Sequence, residues 1–166
     1  MFKLNLKKNI TYFFLVIVIF LADRLSKVKI LKIAELENTV DIYLTSYLNF
    51  YLIWNKGIAF GLFSYNDSIV YNVMTLIIII ITIIILVMII KSEGFKKCLL
   101  LFVFGGSLGN IYDRIYYSAV PDFIDFHINN FHWFVFNVAD IFITIGIIGL
   151  ILVETFNNNK HNEKIS

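Results

Sequence analysis

Two aspartates, Asp122 and Asp140, are the residues of this 166-residue chain whose chemistry most needs a reason, because each lies beside or inside an apolar stretch. An ionisable side chain in a membrane helix costs about 2.5–3.5 kcal/mol on insertion scales. Two carboxylates held about 3 Å apart cannot both ionise, so they share a proton, and one can act as base on a water while the other acts as acid. The two titrations then belong to the pair. Further polar residues interrupt the apolar segments and form two faces that can meet. Asn110 and Arg114 are four apart and Asn137 and Asp140 three apart, so each pair shares a helix face. Asp113 is adjacent to Arg114, points in a different direction, and is expected to hold a neighbouring helix. Gly105-x-x-x-Gly109 is the small-residue spacing that lets membrane helices approach closely.

The elements that must position these groups follow from composition. The chain is 59% hydrophobic and 16% charged, far from a water-soluble norm. Four apolar segments, about residues 10–33, 73–90, 98–117 and 133–156, approach the twenty residues that cross a hydrocarbon core of about 30 Å. The expected fold is an all-α polytopic membrane protein of a single domain over residues 1–166, with four transmembrane helices, a small periplasmic β cradle and a short outer return segment. Tyr47 to Trp54, aromatic and β-branched, and the turn signal Asn55-Lys56-Gly57 place strands within the outer segment of about 34–69. Phe60, Leu62 and Phe63 are expected against the membrane surface. Pro121 ends helix three before Asp122, which puts Asp122 at the outer mouth. Counting from Trp133 puts Asp140 about 10 Å down helix four. Lys3, Lys7 and Lys8, then Lys91, Lys96 and Lys97, then Lys160 and Lys164 mark cytoplasmic ends, so both termini are expected in the cytoplasm. Arg24, Lys27, Lys29 and Lys32 run against that assignment. No small-x-small cleavage site follows the first apolar run, so it reads as a retained helix.

Several functions are disfavoured by the same residues. The lysines are not interleaved with aromatics on one face, so no nucleic-acid partner is expected. Cys98 is the single cysteine, which excludes an intramolecular disulfide. Asp125, His127 and His132 match no zinc spacing and read as solvated loop residues, so neither metal nor cofactor is expected. Ser107 lacks the turn of a nucleophilic serine and reads as a small packing residue. From residue types alone, a proton-coupled small membrane transporter with Asp122 and Asp140 as a relay remains open, as does a non-catalytic assembly factor.

The order of motifs adds a resemblance. Asp23-Arg24-Leu25-Ser26-Lys27, Asn55-Lys56-Gly57-Ile58-Ala59-Phe60-Gly61, Gly105-Gly106-Ser107-Leu108-Gly109-Asn110-Ile111-Tyr112-Asp113-Arg114, Val120-Pro121-Asp122-Phe123-Ile124-Asp125 and Phe136-Asn137-Val138-Ala139-Asp140 resemble the lipoprotein signal peptidase family over about residues 10–155. The resemblance implies an intramembrane aspartyl endopeptidase that removes signal peptides from diacylglyceryl-modified bacterial prolipoproteins. It implies Asp122 and Asp140 as catalytic, with Asp23, Asn55, Gly57, Asn110, Arg114 and Asn137 binding substrate or supporting the dyad. It also implies a bacterial inner-membrane location with the site towards the outer face, contact with membrane lipid, and inhibition by globomycin-type antibiotics. A monomer is the default expectation. Ser26, Ser118, Pro121 and Phe134 depart from the usual pattern; neither carboxylate does.

Overall fold

A computed structural model describes residues 6–57, 68–129 and 131–162. The elements in chain order are α1 (Leu6–Glu37), β1 (Asp41–Thr45), β2 (Leu48–Asn55), α2 (Ser68–Lys91), α3 (Gly94–Tyr117), β3 (Val120–Ile128), β4 (Phe131–Phe136) and α4 (Val138–Asn162). Phe60, Leu62 and Phe63, and most of the motif that begins at Asn55, lie outside the described residues.

Among the described residues, three helices are long and apolar enough to cross a membrane: α2 over Ile69–Lys91, α3 over Gly94–Tyr117 and α4 over Val138–Asn157. The chain is a membrane protein, mostly helical, with a small antiparallel sheet. Helix α3 is its centre, with 56% of its span buried against 11% for α2 and 17% for α4. Glycine makes that packing possible. A Cβ on Gly106 would lie 2.6 Å from the Ala139 carbonyl oxygen on α4, and one on Gly109 would lie 2.5 Å from Asp23 Oδ2 on α1. A hydrogen is what fits at each, against the α4 backbone at Gly106 and against the Asp23 carboxylate at Gly109.

The strand expectation for Tyr47 to Trp54 is matched by β2, but the sheet is larger than a single outer segment would build. Its order is β1-β2-β3-β4, all antiparallel. Residues distant in sequence are paired, such as Asn49 with Asp125 and Ile53 with Asp122. The expected outer return segment is therefore a hairpin, β3–β4, and not a plain connection. Pro121 is tolerated inside β3 because β4 joins only from Ile124 onward; Pro121 pairs with Trp54 alone among the described residues. Ser118 caps α3 with φ 55°, the left-handed conformation that glycine adopts most readily.

Two expectations are corrected. The fourth apolar segment does not begin its helix at Trp133, because Phe131–Phe136 forms β4, and the helix starts at Val138. The run Trp133-Phe134-Val135-Phe136 is apolar, yet its aromatic and β-branched residues suit a pleated surface. Asp140 is consequently in the first turn of α4, not two turns down. Asp125 and His127 are buried strand residues at 1% and 7% exposure, not solvated loop.

The sheet rests on the bundle through an apolar cluster of Ile30, Val40 and Phe123, flanked by Ile33, Phe50, Leu52 and Val138. This contact ties β3 to the ends of α1 and α4, and so places Asp122 above the helices.

Candidate active site

The start of α4 is built by reciprocal capping. Asn137 immediately precedes the helix, and its Oδ1 accepts the backbone N–H of Asp140 at 3.1 Å. Asp140 Oδ2 accepts the backbone N–H of Asn137 at 3.2 Å. This is a capping box in which both donors at the helix start are satisfied. A third donor, the Ala139 N–H, is taken by Asp23 Oδ1 at 3.0 Å. The helix N-terminus and Asp140 are thereby fixed together.

Asp122 is brought to the same place by β3. Its Oδ1 accepts from Asn137 Nδ2 at 2.6 Å and its Oδ2 from Asn55 Nδ2 at 2.9 Å. Asp140 Oδ1 accepts from Asn110 Nδ2 at 2.8 Å. Each carboxylate thus has both oxygens occupied by amide donors, and Asn137 contacts both carboxylates. Asp122 and Asp140 line a common cavity of 380 Å³. Burial, with the Asp140 charge beside it, pushes the Asp122 carboxyl up to about 7, against the opposing pull of the Asn137 and Asn55 donors.

Behind the dyad sits a compact ionic network. Lys27 Nζ donates to Asp23 at 2.9 Å, to Asp113 Oδ2 at 2.6 Å and to Asn110 Oδ1 at 3.0 Å. Arg24 lies 2.6 Å from Asp113 Oδ1. Asp113 does hold a neighbouring helix, α1, as its direction suggested. Lysine can only donate, so it holds the oxygen of the Asn110 amide and turns the NH₂ towards Asp140. The two cations are matched by two buried acids, which removes Arg24 and Lys27 from the charge conflict at that end of α1.

The sequence-derived candidates divide in the structure. Asn55, Asn110, Arg114, Asp122, Asn137 and Asp140 all face the cavity. Asp23 does not; it is fully buried behind it, holding Lys27 and the α4 start. Gly57 acts through its backbone, its N–H donating to Asn55 Oδ1 at 2.8 Å and its carbonyl accepting from Arg114 at 2.5 Å. Ser107, read from the sequence as a packing residue, also faces the cavity, as do Ile143, Thr144 and Ile147, which no motif contained although 140, 143, 144 and 147 form one helix stripe. With Ile78 and Ile81 from α2, they make the cavity's wall apolar away from the dyad. The arrangement places two carboxylates capable of acid–base chemistry at the polar end of a cavity that is otherwise apolar.

Comparison with known proteins gives a consistent answer. The family model described as signal peptidase (SPase) II matches residues 15–156. The lipoprotein signal peptidase of Pelagibacter ubique (strain HTCC1062) is 55% identical over 163 residues, covering 98% of both chains. That of Anaplasma phagocytophilum (strain HZ) is 34% identical, covering 95% of this chain and 99% of the other. A bacterial membrane enzyme structure obtained by the in meso method at 2.3 Å resolution superposes with a TM-score of 0.69 at 26% identity, covering 91% of this chain and 90% of that one. A second, at 1.9 Å, gives 0.64 at 27% identity, covering 87% and 92%.

Proposed function

This chain belongs to the signal peptidase II family, and from that premise we propose that Asp122 and Asp140 are its catalytic pair. The protein is an aspartic endopeptidase that removes signal peptides from prolipoproteins. What supports the residue assignment is that Asn137 binds both carboxylates at once while they line a common cavity. A water between them attacks the scissile carbonyl. With the Asp122 carboxyl raised to about 7, the pair holds a shared proton at neutral pH, so one carboxyl serves as acid while the other takes the water's proton. Asn110, Asn137 and Asn55 hold the carboxylates, Arg114 and Gly57 fix the turn that carries Asn55, and Asp23 anchors the helix that carries Asp140.

The substrate is the diacylglyceryl-modified form. Its extended peptide meets the polar end of the cavity, its signal helix lies along the isoleucine wall of α2 and α4, and its acyl chains remain in lipid. Globomycin-type inhibitors occupy the same cavity. The whole chain acts as one integral-membrane domain, a monomer in the bacterial inner membrane with the sheet as an outer cradle.

Four crossings fit this arrangement. Asp23, Arg24 and Lys27 are buried in the bundle, while the neighbouring α1 positions Leu21, Leu25 and Val28 are exposed and apolar. From Ile10 to Val28 the exposed face has the roughly 28 Å that 19 residues span in a helix, which matches a hydrocarbon core. Both termini then lie in the cytoplasm.

The test is cleavage of a purified diacylglyceryl-modified prolipoprotein, read as a gel shift. Wild type cuts, and folded Asp122→Asn and Asp140→Asn each lose at least about 100-fold, the lower range for a positioned acid or base. Mutants that cut normally would remove the dyad assignment.

A further inference from the structure

A second cluster of chemically capable side chains lies on the sheet, apart from the dyad and unused by it. Asp125 and His127 on β3 and His132 on β4 each present one donor atom, and the three atoms lie within 4.8 Å of one another. Asp125 Oδ2 is 2.8 Å from His132 Nδ1 and 3.5 Å from His127 Nδ1. Donors bound tetrahedrally at about 2.0–2.1 Å sit about 3.3 Å apart, so these separations bracket what an ion would impose. A register shift between Phe126 and His127 sets the local geometry, and His127 faces His132 directly across the hairpin.

An Asp125–His132 pair alone does not account for the rest. The His127 side chain is 9% exposed, yet its Nδ1 has no hydrogen-bond partner among the described residues. On the other side of Asp125, its cross-strand neighbour Asn49 has a buried Oδ1 in the same condition. Asp41, Asn49, Asp125 and His132 also line a shared cavity of 490 Å³. The Asp125 carboxylate between Asn49 and His127 is almost fully buried, and Asn49 Oδ1 and the lone pair that a neutral His127 can present at Nδ1 are both acceptors. Buried polar groups left unpaired in this way call for a partner, and a cation is the partner that acceptors share.

We propose that Asp125, His127 and His132 bind a divalent transition-metal ion that staples the β3–β4 hairpin. Two imidazole nitrogens and one carboxylate oxygen suit zinc-like ions and disfavour calcium or magnesium, which take oxygen donors. His132 is 59% exposed at its side chain, which leaves the fourth position open to water. The ion joins the two strands three residues beyond Asp122, so it stiffens the element that carries a dyad member without touching the dyad.

The experiment uses the full-length protein in detergent, purified without a polyhistidine tag, stripped with chelator and titrated with Zn²⁺ against a chromogenic competitor. Thermal unfolding and the visible spectrum with Co²⁺ are recorded in parallel. Wild type takes up one equivalent, rises in Tm with Zn²⁺ and gives intense tetrahedral Co²⁺ bands. His132→Ala, at an exposed position, unfolds at the wild-type apo temperature but binds at least about 10-fold more weakly, as loss of a ligand requires. His127→Ala behaves alike, and Asp122→Asn and Cys98→Ser bind as wild type. Absence of stoichiometric uptake by wild type, or uptake unchanged in His127→Ala/His132→Ala, overturns the proposal. Because Asp122→Asn is inert in cleavage but intact in binding, failure here is distinguishable from failure of the dyad assignment.

Discussion

Asn137 does work that a leucine of similar size could not: it caps α4, holds Asp122 and receives Asp140. Around it, the protonation of the dyad is set by a few identifiable contacts. Burial, then the Asp140 charge, raise the Asp122 carboxyl to about 7, while Asn137 and Asn55 lower it. If the two aspartates are the catalytic pair, as proposed above, loss of their shared proton as pH rises through the range near 7 set by the Asp122 carboxyl removes the acid, and kcat/KM is expected to fall on the alkaline side. Removing a donor that favours the ionised form, as in Asn55→Leu, moves that limb to higher pH. A pH profile with a lipopeptide substrate checks both statements, and an unmoved limb would assign it to another group. Lys27 is a positioning residue of a different kind. Lys27→Met strips the ammonium from two buried carboxylates, and loss of one partner of a buried ion pair costs about 3–5 kcal/mol. Thermal unfolding in detergent reads this as a lower Tm. The carboxylates, Asn110 and Asn137 were legible in the sequence because charge and amide groups are conspicuous in apolar surroundings. The role of Asp23 was not, since only the fold shows that it meets the N–H of Ala139, more than a hundred residues away.

At the scale of elements, α3 is the plate against which α1, α2 and α4 are set, and its glycines decide how closely. Gly106→Ala drives a methyl into a backbone carbonyl of α4, which cannot rotate away. Overpacking of this kind costs about 1–3 kcal/mol, with loss of cleavage because the carbonyl belongs to the residue beside Asp140. Gly149→Ala has its nearest contacts with the side chain of Leu99, whose terminal methyls can rotate, and is expected to be milder in both respects. Comparing the two variants by Tm and by cleavage tests whether helix approach or helix propensity governs the site. Helices α2 and α3 were plain from their apolar lengths. The β4 strand was not, because Phe131–Phe136 is as apolar as a span and is distinguished only by its residue shapes and by the cap at Asn137. The partners of β2 were also hidden, since pairing Asn49 with Asp125 spans two helices that the sequence does not fold by itself.

For the whole molecule, burial of Asp23, Arg24 and Lys27 leaves α1 an apolar outer face, and the four-crossing arrangement proposed above predicts Glu37 and Glu93 on opposite sides. In a Cys98→Ser background, Glu37→Cys in intact spheroplasts is expected to react with a membrane-impermeant maleimide, and Glu93→Cys only after lysis. Labelling of both from outside would remove the four-crossing topology. The capping box at the start of α4 has a further implication for how the enzyme comes into being. Asp122 leaves the ribosome before Asn137 and Asp140, and the last helix brings both the second carboxylate and the amide that orients the first. With Asp122 and Asp140 as the proposed pair, a nascent chain that lacks α4 is expected to be inert, and proteolytic competence to switch on in a single step when α4 is inserted.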